Sequence, residues 1–463
     1  MPQSELANSG MNPRRDAPDT RSGRLRGQIQ NTLRSSLLRN IATVVSGTAG
    51  AQALTLAFMP VITRIYGPEN YGVLGVFMGL AMMLIPVAAL CYPTSIVLPR
   101  RDSDALKLVK LSLLMATFVS SLLAIFLLVA GDWFAEALSV EAAVPFLMLL
   151  PAVTFAGAAL ETAQQWLFRK QLFRVTAKAA VAYSLLHNSI RSLAGLVSPT
   201  AAVLVVTTGF GPLLHSALLL LGIRKGPPLQ VKPEVEQRQS PVRMRDLAGR
   251  YQDFPKFRAP QMLINTVSQN LPTLVLAAYF GPAAAGFFAL CKQALTMPTH
   301  LVGKSVADVY YPKLARSIQH GEPIAGTVMK AVAGLAAVGL VPFALVFATG
   351  PWLFATVFGE EWRTAGEYAR WLALAEYAVF ASRPCTVAVP ALGLQRLSLI
   401  FEICSTTLRV SALYFGAVVL GEQMDTVMAF SIASIIIYCA LVLVVFIKAR
   451  AWYANLSHAD HAD

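Results

Sequence analysis

The sequence predicts an all-α integral membrane protein: twelve transmembrane helices in two six-helix bundles related by pseudo-two-fold symmetry. Three observations carry that expectation. The 463 residues are 56% hydrophobic and only 14% charged, with a mean hydropathy of +0.57; soluble domains carry roughly 25% charged residues. Twelve apolar runs approach the ~20 residues that cross hydrocarbon. They lie near 41–63, 72–93, 108–130, 144–163, 175–197, 199–223, 259–280, 284–305, 326–348, 366–390, 396–420 and 424–447, the fifth being the least apolar. The loops between them alternate in charge. With an even number of spans, Arg100, Arg101, Lys107, Arg169, Lys170, Arg174, Arg224 to Arg258, Lys313, Arg316, Arg396, Lys448 and Arg450 share one side with the N-terminal tail. The loops 131–143, 198–200, 281–285 and 421–425 are poor in base, and Gly359-Glu360-Glu361-Trp362 carries acid with one arginine, Arg363. Basic loops stay in the cytoplasm, so both termini are expected there.

In chain order, residues 1–39 read as a disordered cytoplasmic tail with a basic amphipathic end, and no signal-peptide core follows the first residues. Residues 40–223 are the first bundle. Residues 224–258, with Pro227, Pro228, Pro233 and Pro241, are a cytoplasmic linker. Residues 259–448 are the second bundle and 449–463 a cytoplasmic tail. The halves read as copies. Tyr66-Gly67-Pro68 and then Gly72 match Phe280-Gly281-Pro282 and then Gly286. Each is followed by a helix containing a proline, Pro86 or Pro298, and Trp133-Phe134-Ala135 and Trp352-Leu353-Phe354-Ala355 open the fourth and tenth segments alike. Two copies of six helices share orientation, which implies an axis along the membrane normal and a central cleft between the halves.

The net charge of +13 would suggest nucleic acid in a soluble chain. Here it sets topology and attracts anionic lipids, and no nucleic-acid partner is expected. The five cysteines fall inside apolar runs without a CxxC pair and read as small core residues. His187, His215 and His300 are scattered, so no metal site is expected. Gly303-Lys304-Ser305 lacks the leading glycine of a phosphate loop, having Pro298 there. No cofactor and no catalytic constellation emerges, and the chain does not read as an enzyme.

Ionisable groups inside spans are costly and normally face a wet cavity or a partner. The fifth segment carries Tyr183, His187 and Arg191 four residues apart; the seventh Gln261, Asn265, Ser268 and Gln269; the eighth Lys292, Thr296 and Thr299. The tenth has Glu376 and Arg383, the eleventh Glu402, Ser405, Thr406 and Arg409. Arg64 closes the first and Glu161 sits late in the fourth. One reading is a cationic cavity in which Arg191, Lys292, Arg383, Arg409 and Arg64 bind a diphosphate while Asn265 and Gln269 meet sugar. Glu161, Glu376 and Glu402 are then candidates for ion coupling. The other reading makes Glu376–Arg383 and Glu402–Arg409 neutralised pairs between helices, Arg64 a loop anchor, and the amide stripe helix–helix glue. Pro60, Pro86, Pro272, Pro298 and Pro390 are hinge candidates, although membrane helices also tolerate proline.

The order of these residues resembles a known family. In the first half it is Gly47-Thr48, Gln52, Pro60, Arg64, Tyr66-Gly67-Pro68-Glu69, Tyr71-Gly72 and Pro86. In the second it is Tyr251, Phe254-Pro255, Pro260, Leu263-Ile264-Asn265, Ser268, Pro272, Phe280-Gly281-Pro282, Gly286, Pro298 and Val309 to Ala315. Together these resemble bacterial polysaccharide-repeat-unit flippases, the Wzx-type branch of the MATE-like (MOP) superfamily. The resemblance implies a V-shaped pair of bundles in the inner membrane. It implies alternating access and transfer of undecaprenyl-diphosphate-linked oligosaccharide from the cytoplasmic to the periplasmic leaflet, for exopolysaccharide, capsule or O-antigen of lipopolysaccharide. A polysaccharide polymerase and chain-length co-polymerase are the partners in keeping with it. The two extra helices of the lipid II branch are absent, the N-terminal tail is longer than the family's, and no site residue transfers position by position. The nearest rival is a multidrug or cation exporter of the MATE type coupled to H+ or Na+, which calls for an acidic, aromatic-lined cavity. A membrane polymerase calls for a large periplasmic loop and no repeat. A non-transporting scaffold would use the tail and linker alone.

Overall fold

The computed structural model describes residues 20–138, 141–225, 243–319, 324–392 and 395–459. Among them the backbone is helical throughout and contains no strand. The helices of the first half are α1 (Thr20–Ala88), α2 (Asp102–Leu138), α3 (Leu150–Arg169), α4 (Phe173–Val197), α5 (Ala201–Gly209) and α6 (Gly211–Lys225). A short α7 (Met244–Arg250) leads to α8 (Ala259–Phe280), α9 (Pro282–Gln319), α10 (Ile324–Phe358), α11 (Arg363–Ala381), α12 (Arg383–Ala391), α13 (Gln395–Tyr414) and α14 (Gln423–Ala459). By length and apolarity seven helical stretches among the described residues can cross a membrane, or eight if the bent pair α11–α12 is one span. Each of the twelve expected segments falls largely on helix. The segments on α4, α8 and α9 miss the apolarity criterion because they carry the polar stripes noted above. Leu128 and Val129 on α2 and Val341 on α10 stand 72%, 83% and 73% exposed, outward faces that only lipid can cover.

Two breaks in the chain share one conformation. Gly67 interrupts α1 at φ 69°, ψ 174°, and Gly281 separates α8 from α9 at φ 86°, ψ 175°. Positive φ suits glycine, and the proline that follows each is pre-set for the first turn of the next helix. Five residues beyond, the two copies meet. A Cβ on Gly72 would collide with the Pro282 carbonyl, and one on Gly286 with the Pro68 carbonyl and the Gly72 backbone. The contact is reciprocal, and only glycine lets the two backbones come so close.

Around this crossing the halves share one core. Trp362 is 1% exposed; it meets Tyr71 edge-on at 5.5 Å and Phe287 at 6.0 Å, and its Nε1 donates to the Thr63 carbonyl at 3.3 Å. The Tyr71 hydroxyl donates to Gln293 Oε1 at 2.7 Å. This end of the molecule, which carries the breaks at Gly67 and Gly281 and the turn at Gly359, is therefore closed. At the basic end, Arg169 donates to Asp102 and to the Pro99 carbonyl, at 2.9 and 2.6 Å, and Lys170 also donates to Asp102.

Several expectations change. Residues 1–19 and 226–242 lie outside the described residues. The expected disordered tail gives way to helix from Thr20, and the end of the expected linker is folded: Leu247 of α7 is buried with Tyr92, Ile96 and Leu108. Trp133 and Trp352 lie inside α2 and α10, not at the start of later helices, because both helices run on past their lipid-facing ends. Cys91, Cys291 and Cys385 are buried, but Cys404 and Cys439 are exposed. Helix continues through Pro60, Pro86 and Pro272. The 43° bend in the tenth segment comes at Ser382, two residues before Pro384, which cannot donate to the Phe380 carbonyl, and not at Pro390.

Candidate functional site

The second half encloses a cavity of about 1130 Å³, lined wholly by residues between Phe257 and Val444. Each wall follows from helical spacing. Gln261, Asn265 and Gln269 stand four residues apart on α8 and present one face. Glu402 and Arg409, seven apart, do the same on α13. The bend before Arg383 turns that side chain into the space that Glu376 of α11 also lines. Lys292 and Thr296 enter from α9, Ser434 and Tyr438 from α14.

Among the described residues the charged lining is Arg258, Lys292, Arg383 and Arg409 against Glu376 and Glu402, four cations to two carboxylates. No ion pair joins any two of these six, in contrast to Asp104–Lys107, Asp102 with Arg169 and Lys170, and Glu360–Arg363. Neither Glu376–Arg383 nor Glu402–Arg409 is in ion-pair contact, while Glu376 stays within electrostatic reach of Lys292, Arg383 and Arg409. Glu402 and Arg409 take other partners. Asn265 Nδ2 donates to Glu402 Oε1 at 2.9 Å. Arg409 Nη1 reaches Ser268 Oγ at 3.5 Å, and its guanidinium lies 5.5 Å over the Tyr438 ring. Lys292 Nζ donates to the Gln269 carbonyl, in the same turn where Pro272 withdraws the N–H that would bond the Ser268 carbonyl. The Nε groups of Arg383 and Arg409 are buried without a partner. A desolvated guanidinium with open donors favours an anionic ligand.

Seven of the ten residues singled out from sequence line this cavity: Lys292, Arg383, Arg409, Asn265, Gln269, Glu376 and Glu402. Three do not. Arg64 lies at the closed end, where Nη2 donates to the Thr356 carbonyl at 2.8 Å. Arg191 is 8% exposed in the first half, its carbonyl accepting from the Tyr66 hydroxyl at 2.9 Å. Glu161 is on α3, also in the first half. His187 and His215 are not scattered: both rings stack with Tyr183, at 5.0 and 4.6 Å. Sequence reasoning missed Arg258, set aside as a loop cation, and Tyr438, which stands four residues after Ser434 in an otherwise apolar run.

A family model described as polysaccharide biosynthesis protein matches residues 61–367. No curated protein matches the chain by sequence. Among solved structures, the inward-facing conformation of a multidrug resistance MATE family transporter of the MOP superfamily is similar at TM-score 0.69 and 15% identity, covering 88% of this chain and 96% of that one. An outward-facing conformation of such a transporter gives 0.55 at 15% identity, covering 90% and 96%. A MOP superfamily transporter from Pyrococcus furiosus, described as having a binding pocket of reverse polarity, gives 0.57 at 15% identity, again covering 90% and 96%. At such identities the likeness is one of fold.

Proposed function

The chain belongs to the polysaccharide biosynthesis protein family and has the fold of MOP superfamily membrane transporters, and from that premise we propose that it is a flippase for undecaprenyl-diphosphate-linked oligosaccharide repeat units. It carries them from the cytoplasmic to the periplasmic leaflet of the inner membrane. The observation that carries this reading is the cavity in which four cations face two carboxylates with no ion pair among them. A diphosphate cannot cross hydrocarbon bare; forks from Arg383 and Arg409 and the Lys292 ammonium would replace its water, and the amides of Asn265 and Gln269 suit sugar hydroxyls. A cation exporter would require the opposite balance of charge.

In the same reading the membrane part is twelve spans in two six-helix halves. The matching breaks at Gly67 and Gly281 and the reciprocal contact of Gly72 with Gly286 support it. The closed end carries the base-poor loops, so it is assigned to the periplasm and the cavity to the cytoplasmic side, with both termini cytoplasmic. Outward transfer of two negative charges against an inside-negative potential is downhill by roughly 4–5 kcal/mol per 100 mV if the full field is crossed.

The test is genetic. In cells that depend on this protein, Lys292→Ala, Arg383→Ala and Arg409→Ala are expected to keep normal membrane levels, lose surface polysaccharide and accumulate the lipid-linked repeat unit in the cytoplasmic leaflet. Undiminished polysaccharide in all three variants would overturn the assignment of the cavity.

A further inference from the structure

Resting on the flippase reading, the polarity of the cavity divides along its length. Lys292 donates to the Gln269 carbonyl in the middle of α8, Arg409 reaches Ser268 one residue away, and Glu376 lies within electrostatic reach of both cations, which makes one level of the cavity. Glu402, Asn265 and Gln261 lie nearer the start of α13 and α8, on the basic-loop side. Seven residues of helix separate Glu402 from Arg409, about 10 Å of rise, the reach of a phosphate and one sugar ring.

The outer level is built for hydroxyl groups. The Glu402 carboxylate takes a single side-chain hydrogen bond, from Asn265 to Oε1, and has no ion pair among the described residues. Its Oε2 is neither hydrogen-bonded nor sealed off from the cavity, so it is open to accept. The same holds for Asn265 Oδ1. Phe401, the neighbour of Glu402 on α13, and Phe257, 70% exposed and just before α8, also line the cavity. Arg258, whose Nη1 reaches Gln261 Oε1 at 3.4 Å, is the cation of this level; at Glu402 itself a carboxylate fixed by an amide accepts the hydroxyls of an uncharged sugar and repels an acidic one.

We propose that Glu402 and Asn265 form a sugar subsite that selects an uncharged sugar as the first residue after the diphosphate, so that Glu402 determines specificity and does not couple an ion.

The test uses the full chain in lipid nanodiscs with three water-soluble probes: a short-chain prenyl diphosphate, the same diphosphate bearing one neutral hexose, and the same bearing one hexuronic acid. Wild type is expected to bind the neutral-sugar probe roughly tenfold or more tightly than the bare diphosphate, the range of hydrogen bonds to a charged group, and to disfavour the uronate. Glu402→Gln is expected to bind the bare diphosphate at least as tightly as wild type does, since it removes one of the cavity's carboxylates, which also shows that it is folded. It should lose most of the preference for the neutral sugar and accept the uronate within a few-fold. Arg409→Ala is expected to weaken all three probes alike. Unchanged discrimination in Glu402→Gln overturns the subsite while leaving the flippase reading intact. Failure of wild type to bind any of the three probes overturns both.

Discussion

Arg409 and Glu402 share a face of α13, and their spacing fitted both a neutralised pair and two independent cavity groups. Three-dimensional neighbours separate the readings: Asn265 takes the carboxylate, and Ser268 with the Tyr438 ring takes the guanidinium. Those neighbours come from α8 and α14, far away in sequence, so local spacing could not supply them. The amides on α8 were legible because a four-residue period fixes a face without reference to any partner. Arg258 was not, since a cation at a helix start reads as a topology signal. Cys404 carries a test at this scale. It is exposed and lines the cavity, whereas Cys91, Cys291 and Cys385 are buried. In a Cys439→Ser background, a membrane-impermeant maleimide is expected to label Cys404 from the cytoplasmic face and severalfold more slowly when a prenyl diphosphate is bound. Labelling from the periplasmic face alone would place the cavity mouth on the wrong side.

At the scale of the element, the decisive feature is the crossing of α1 and α9. The repeated aromatic-Gly-Pro tripeptide was visible in sequence, but the meeting of its two copies was not, because sequence similarity says that two segments are alike and not that they touch. Backbone atoms fill the space beside Gly72 and Gly286, and a methyl group there must part the helices. Gly72→Ala and Gly286→Ala are each expected to lower stability by about 1–3 kcal/mol, as overpacking does, read as an earlier thermal transition in detergent. Gly334→Ala in α10, where a Cβ meets nothing within 4 Å, is expected to be neutral. Equal behaviour of the three would contradict the crossing. The bend between α11 and α12 teaches a related point. Pro390 drew attention as a hinge and Pro384 did not, yet the chain turns just before Pro384, at Ser382, which closes the preceding helix with hydrogen bonds to the Ala378 and Phe380 carbonyls.

For the whole molecule, membrane class and the order of helical segments were legible from composition and run length, because lipid admits few other solutions. The packing of the polar face of α4 was not. That face reads like a cavity wall, but Tyr183 stacks with both His187 and His215 and Arg191 is buried, so these side chains pack within the first half. The closed end, held by Trp362, Tyr71 and Arg64 across the halves, and the cavity in the second half are what the proposed alternating access requires of one end-point of its cycle. The most direct test of the central claim is reconstitution. The purified chain would be placed in proteoliposomes carrying a fluorescent undecaprenyl-diphosphate oligosaccharide, with an impermeant quencher added outside. The account predicts that the protected inner-leaflet pool becomes quenchable with wild type and not with Arg383→Ala or Arg409→Ala. If that pool stays protected with wild type as in protein-free vesicles, while a lipophilic cationic dye is moved, the flippase account is contradicted and the chain is a cation exporter.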